Sequence, residues 1–231
     1  LTLPYLVESY EQGWALYDTS PWVKEWFEKL HAKNIRILAV WEAGFRQITA
    51  RKPVHKPEDV KGMKIRIPKN EVYIWLWEAL GANPTVMGLG EVYISIQQGV
   101  VDGQENPIPT IHVNKFHEVA KYVSLTNHIY GPIPICINEK RWQSLSPADQ
   151  TAVVKAAKEA AAWHRKAVVD EDDKMLEDMK SKGATIIKPD VPAFGKASKS
   201  VYDKAATKYK GEILQGLLKD ADAVKAKYPV K

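Results

Sequence analysis

The chain has 231 residues, 45% of them hydrophobic and 26% charged, the balance of a globular protein that can bury a substantial core in one large domain or two small ones. Its 33 Lys and Arg against 28 Asp and Glu give a formal charge of +5, with both signs interspersed and no basic run carrying interleaved aromatics, which argues against nucleic acid as a partner. A single cysteine, Cys136, excludes an intrachain disulfide and a thiolate metal cluster, and no stretch reaches transmembrane length.

In chain order, Glu8 to Tyr17 reads as a short amphipathic helix. Ser20-Pro21 starts another, with Ser at the N-cap and Pro at the first helical position, running to about His31. Trp22, Trp26 and Leu30 form its expected core stripe. Ile35 to Trp41 reads as a strand, Gly44 as a turn, and Phe45 to Ala50 as a second strand. Met63, Ile65 and Ile67 alternate with Lys64 and Arg66 in a strand stopped by Pro68. Asn70 can cap the helix that follows, which ends at Gly81. Trp75 and Trp77 in that helix cannot share a face, so at most one enters the core deeply.

Pro84 to Met87 is another short strand, and a helix opens at Glu91. Strand, helix, strand, helix at this spacing argues for βαβ units and a mostly parallel sheet. Gly99 breaks the helix, Val100-Val101 is a short β-branched run, and Gly103-Gln104-Glu105-Asn106-Pro107 reads as a turn presenting polar side chains, where ligands bind in open α/β sheets. A helix to about Lys115, strands at Lys121–Asn127 and Ile133–Ile137, and a short helix from Glu139 follow. Cys136 reads as a buried strand thiol. Ser146-Pro147-Ala148-Asp149 opens a helix with no breaker until Gly183, about 54 Å if unbroken. A short strand at Thr185–Ile187 and two more helices close the chain.

Arg66 lies two residues before the carboxyl end of its strand. A guanidinium there can take a carboxylate by two parallel hydrogen bonds, or pair with a structural acid at the sheet edge. Arg46, beside Phe45, is either a second such group or a structural arginine stacked on Phe45 or Trp41. Asn70, Glu71 and Tyr73 open the helix after Arg66, and Met87, Leu89 and Glu91 follow the next strand. His128 and Tyr130 come later; all of these positions are compatible with packing or with ligand contact, and a Tyr130 phenol can meet a ligand's distal end. Catalytic templates are absent: no HExxH, GxSxG, GxxxxGK[ST] or GxGxxG motif is present. His112 and His117, five apart, do not share a helical face as metal ligands.

Several segments in one order make the chain recognisable: WEAGFRQIT (41–49), KGMKIRIP (61–68), ALGANPTVM (79–87), GEVY (90–93), VVDGQENP (100–107) and KFHEVAKYVSLTNH (115–128). Together they resemble the substrate-binding proteins of TRAP transporters, the DctP-like family, from Leu3 nearly to the end. The resemblance implies a periplasmic binding protein-like α/β fold of two lobes built from discontinuous segments, with a long helix spanning both and a kink near Asp170-Glu171. Residues 1–43 and 132–170 would be the remnant of lobe I, and 44–131 and 171–231 the carboxylate-clamping lobe II. Such proteins carry a further N-terminal portion before the equivalent of Leu3, and a signal peptide, so the sequence looks truncated at that end.

The resemblance further implies that Arg66 clamps a substrate carboxylate, that Arg46 contributes to the same site, and that Asn106 donates its amide while Gln104 and Glu105 support the loop. A second carboxylate facing an anion would repel it, so Glu105 is expected to bond backbone or Arg instead. Met87, Leu89, Asn70, His128 and Tyr130 would set specificity. The expected protein is a monomeric periplasmic receptor without cofactor or metal, which closes on a small organic acid and delivers it to integral-membrane TRAP permease subunits. A carboxylate sensor of a signalling system, and an enzyme using Asp102, Glu105 or His128 as acid or base, are the alternatives.

Overall fold

A computed structural model describes residues 2–230. Its elements group into two compact units: Leu1–Leu6, Gly44–Gly131 and Glu171–Gly211 form the first, and Val7–Ala43, Pro132–Asp170 and Glu212–Lys231 the second. The chain ends group differently from the expected lobes. Residues 3–6 are held in the first unit by the burial of Leu3 and Leu6 and by Tyr5, whose hydroxyl donates to the Thr126 carbonyl at 3.1 Å. Residues 212–231 carry the buried stripe Leu214, Leu217, Ala221 and Val224, which belongs to the second unit.

In the second unit, α1 (Tyr10–Thr19) is followed by α2 (Pro21–Lys29). Ser20 caps α2 as its sequence predicts, accepting from Val23 N at 3.0 Å while its hydroxyl donates to Asp220 at 2.5 Å. The predicted stripe is displaced: Val23 is the buried residue of α2, and Trp22, Trp26 and Leu30 are only half-buried. Hydrophobic spacing set the helix face but not the depth of its burial.

Strand β1 (Ile35–Ala50) is one sixteen-residue strand, not two strands about a turn. Gly44 takes φ +97° within it, a conformation open to glycine that the strand absorbs as a local irregularity. Strand β2 (Lys64–Ile67), helix α3 (Glu71–Ala79), strand β3 (Asn83–Val86) and helix α4 (Val92–Gln97) follow as the alternation predicts. Of the two tryptophans in α3, Trp77 is buried and Trp75 half-buried.

The GQENP segment is itself a strand, β4 (Gly103–Pro107), with all five residues buried, whereas Val100 and Val101 form a bend before it. Gly103 explains part of this. A Cβ there would stand 2.5 Å from the Thr49 carbonyl oxygen, so only glycine allows β4 to lie this close to β1. Helices α5 (Ile108–Val113) and α6 (Phe116–Val119) lead to β5 (Tyr122–Ser124) and β6 (Tyr130–Asn138). Cys136 on β6 is exposed, not buried. An alternating strand pattern cannot say which face is covered, and here Ile133, Pro134 and Cys136 are all exposed.

After α7 (Glu139–Gln143), helix α8 (Pro147–Ser181) is continuous through Asp170–Glu171, where the chain passes from one unit to the other. Strand β7 (Thr185–Ile187) and helices α9 (Val191–Ala197), α10 (Ser200–Lys208) and α11 (Gly211–Lys227) complete the chain.

The sheet order is β3-β2-β4-β1-β5-β7, with β6 paired to β1. β2 runs parallel to β3 and β4, and β5 parallel to β7, while β1 runs antiparallel to β4 and β5. The sheet is therefore mixed: the long β1 runs against its neighbours. In the first unit, α4, α5 and α6 contribute Val92, Ile96, Ile111 and Phe116 to one buried cluster with Val123. Helix α10 packs on α3, with Trp75 and Tyr209 rings 6.3 Å apart.

Candidate functional site: two guanidinium groups at one sheet end

The register sets the geometry. Arg66 lies opposite Thr85 of β3 and Gln104 of β4, and Arg46 lies opposite Pro107. Both arginines come from central strands of the first unit, near the end where β2 gives way to α3 and β4 to α5. Their chemical environments differ.

Arg46 is fully engaged on one side. Its Nε pairs with Glu105 Oε2, and its Nη2 donates to Glu105 Oε1 at 2.9 Å, to the Glu105 carbonyl at 2.7 Å and to Asn106 Oδ1 at 3.0 Å. The Tyr73 ring lies 5.1 Å from the guanidinium carbon. Glu105 is 0% exposed. Burial alone would raise its pKa, but Arg46 and His128 hold it below the usual carboxylate range. Burial likewise works against the Arg46 charge, and Glu105 outweighs it. Glu105 thus bonds an arginine, one of the two partners expected for it.

His128 is placed behind this pair. It is 1% exposed, with Nε2 at 3.1 Å from Glu105 Oε2 and Nδ1 at 2.8 Å from Thr126 Oγ1. Trp77 meets its ring edge-on at 5.5 Å. Burial lowers the His128 pKa more than Glu105 raises it. These contacts make it a partner of Glu105 and Thr126. Asn106 is tied as well: its Nδ2 donates to Gln104 Oε1 at 2.5 Å while its Oδ1 accepts from Arg46. Gln104 is fully buried, and its Nε2 has no partner among the described residues.

Arg66 is the contrasting case. It is 4% exposed. Its Nε and Nη2 both donate to one acceptor, the Met87 carbonyl, at 3.1 and 2.8 Å. Among the described residues no carboxylate lies within 4.0 Å of its guanidinium. Burial lowers its pKa, Glu105 and Glu91 act in the opposite direction at longer range, and Arg46 adds to the lowering. A buried cation with a carbonyl and no counter-ion is costly unless something anionic completes it.

The remaining positions divide. Met87 supplies the carbonyl to Arg66 while its side chain packs against the helical cluster. Asn70 is an N-cap: its Oδ1 accepts from Val72 N at 2.9 Å, so its side-chain oxygen is spent on α3. Leu89 is 41% exposed in a 3₁₀ turn over Leu89–Glu91. Tyr130 is buried, its ring edge-on to Phe45 at 5.4 Å. The structure thus joins Arg46 and His128 through Glu105, Asn106 through Arg46 and Gln104 through Asn106, and Arg66 with Met87, whereas Asn70 and Leu89 bond neither guanidinium. Sequence reasoning missed the two-sided use of Glu105; its signal was the antiparallel pairing that sets Arg46 beside it. No group of three or more His, Cys, Asp or Glu able to hold a metal ion occurs among the described residues, and no helix there is long and apolar enough to cross a membrane.

Comparison with known proteins places this geometry in context. The profile of the DctP family, described as bacterial extracellular solute-binding protein, family 7, matches residues 1–208. The 2,3-diketo-L-gulonate-binding periplasmic protein YiaO of Escherichia coli is 40% identical over 159 residues, 68% of this chain and 48% of the relative. The sialic acid-binding periplasmic protein SiaP of Vibrio cholerae is 33% identical over 200 residues, 87% of this chain and 62% of the relative. The chain spans about half to three fifths of the length of these curated relatives. A TRAP periplasmic solute binding protein from Chromohalobacter salexigens, solved with bound D-glucuronate, superposes with a TM-score of 0.90 at 30% identity, covering 96% of this chain and 73% of that one. The α/β periplasmic solute-binding fold is therefore shared.

Proposed function

Because this chain belongs to the DctP family, the bacterial extracellular solute-binding proteins of family 7, we propose that it is the solute receptor of a TRAP transporter. It takes up a small organic carboxylate of the sugar-acid class in the periplasm and delivers it to integral-membrane permease subunits. The observation that carries the reading is Arg66: a buried guanidinium whose acceptor is a peptide carbonyl, with no carboxylate of the described residues within 4.0 Å of it. A ligand carboxylate supplies the missing anion. An arginine fork binds it through two N–H groups, each charge-assisted bond contributing about 1.5–3 kcal/mol.

The neighbours add a smaller share. Arg46 has Nη1 left once Nε and Nη2 are on Glu105, and Asn106 has the second hydrogen of Nδ2. Both are held in place by Glu105 and Gln104 and so lose little freedom on binding. The sugar-acid class is supported by the relatives, whose named ligands are 2,3-diketo-L-gulonate, sialic acid and D-glucuronate.

Calorimetric titration of the protein with these three acids, and with glucose as a neutral control, tests the reading. At least one acid binds and glucose does not. Arg66→Ala weakens acid binding by about 2–5 kcal/mol, because the ligand charge is left unpaired. Arg66→Lys also weakens it, since an ammonium cannot reproduce the fork. An Arg66→Ala variant with wild-type affinity rejects the assignment.

A further inference from the structure

The acceptor that Arg66 uses is one half of a peptide group whose other half is also engaged. Arg66 Nε and Nη2 donate to the Met87 carbonyl oxygen. The N–H of that same peptide belongs to Gly88, and it donates to Glu91 Oε2 at 2.9 Å. One peptide unit therefore carries a cation on its oxygen and a carboxylate on its nitrogen. Resonance across the C–N bond couples the two ends, so each hydrogen bond strengthens the other.

The rest of the turn is closed by the backbone. Met87 N donates to the Ile67 carbonyl at 3.4 Å, continuing the β2–β3 pairing, and Glu91 N donates to the Gly88 carbonyl at 3.3 Å. All four backbone polar groups of Met87 and Gly88 are thus used, and Glu91 closes the turn with both its amide and its carboxylate. Gly88 has φ −60° and ψ 150°, values open to any residue, so its backbone does not require glycine. A Cβ at position 88 would stand 3.0 Å from Glu91 Oε2 and press on that carboxylate. The smallest residue sits where a larger one would push the carboxylate away from the N–H. Glu91 is also one of the carboxylates whose field reaches Arg66.

We propose that Glu91 is a positioning residue for the carboxylate site: through the Met87–Gly88 peptide it fixes the plane of the Arg66 guanidinium and leaves the other edge of that fork for the ligand. The proposal rests on the ligand role of Arg66 given above. Its consequence is specific. Loss of the Glu91 carboxylate releases the peptide, the guanidinium gains freedom, and affinity for the acid falls although no ligand contact has been removed.

Two readouts test it. By calorimetry with whichever of 2,3-diketo-L-gulonate, sialic acid and D-glucuronate binds the wild type, Glu91→Ala weakens binding about tenfold, the net size of one charged hydrogen bond. Glu91→Gln, whose side-chain oxygen still accepts from Gly88 N–H, recovers most of that loss and guards against a folding defect in the alanine variant. Arg66→Lys combined with Glu91→Ala binds no more weakly than Arg66→Lys alone, because both act through one group. The second readout needs no ligand. The Arg66 Nε–H resonance in the ¹⁵N spectrum moves and exchanges faster in Glu91→Ala and stays close to wild type in Glu91→Gln, a change that a merely structural turn does not produce. Wild-type affinity in Glu91→Ala with an unmoved Arg66 resonance overturns the proposal, as does tighter binding in Glu91→Gln, which would mean that Glu91 repels the ligand. Unchanged affinity in Arg66→Lys and Arg66→Ala instead overturns the anchoring role of Arg66. Should no acid bind the wild type, the sugar-acid class falls and the Arg66 resonance still decides the peptide linkage.

Discussion

At the residue scale, the two arginines differ in what they are paired with, and that separates stability from binding. Arg46 neutralises Glu105, a carboxylate with no exposed surface. Arg46→Met leaves that carboxylate buried and short of its main partner, which costs about 3–5 kcal/mol of folding stability. Burial then dominates the Glu105 carboxyl and its pKa rises. Arg66 has no carboxylate within 4.0 Å among the described residues, and Glu105 and Glu91 act on it only at longer range. Arg66→Met removes a buried cation and frees one carbonyl, a change of less than about 1.5 kcal/mol, while acid binding is lost. Urea unfolding of the two variants, followed by calorimetry, checks the asymmetry. Equal losses of stability would mean that Arg66 is as structural as Arg46.

Among the elements, α3 shows how a residue next to the site serves the scaffold. Asn70 accepts from Val72 N and so fixes the first turn of the helix that carries Tyr73 under Arg46 and Trp77 against His128. Asn70→Ala costs about 1 kcal/mol, and Asn70→Ser restores most of it because a hydroxyl also caps. Thermal unfolding with calorimetry on the same samples distinguishes a cap from a ligand contact: a cap loses stability, whereas a contact loses affinity at unchanged stability. Such caps were legible in the sequence because they are local. Ser20-Pro21 and Asn70 declare a helix start within four residues, and β2 declares itself by alternation. What was not legible depends on strands distant in the chain. GQENP is a strand and not a turn because β1 and β2 pair with it on both sides, at a separation that only Gly103 permits. Cys136 is exposed because alternation alone cannot say which face of β6 is covered. Arg66 was legible as a candidate from its place near a strand end, but the distribution of acids around it was not: Glu105 pairs with Arg46 and Glu91 reaches Arg66 through a peptide, and both facts belong to tertiary pairing.

Across the whole molecule, two buried histidines and a half-buried one set how stability depends on pH. His117 and His128 in the first unit and His164 in the second are each held below the ordinary imidazole value, by burial in every case. Glu105 opposes the shift at His128 without reversing it. His164 stacks on Trp41 at 4.9 Å, and the His117 ring stacks on that of His112 at 6.2 Å. A depressed imidazole is neutral when folded and takes up a proton more readily when unfolded. Its contribution is complete above the unfolded value of about 6.5 and is lost as pH falls from there toward the folded value. Glu105, also depressed, adds a second loss further down, below about 4.3, where unfolded carboxylates protonate. Stability measured by urea unfolding is therefore flat from pH 8 to pH 7 and declines between pH 6.5 and pH 5, each of these histidines adding a slope of at most about 1.4 kcal/mol per pH unit. His128→Gln, whose amide still donates to Glu105, removes one titrating group and makes the decline shallower by that share. A wild type whose stability is unchanged from pH 7 to pH 5, or a His128→Gln variant with the wild-type slope, would show that His128 already carries its proton inside the fold and that Glu105, not burial, governs it.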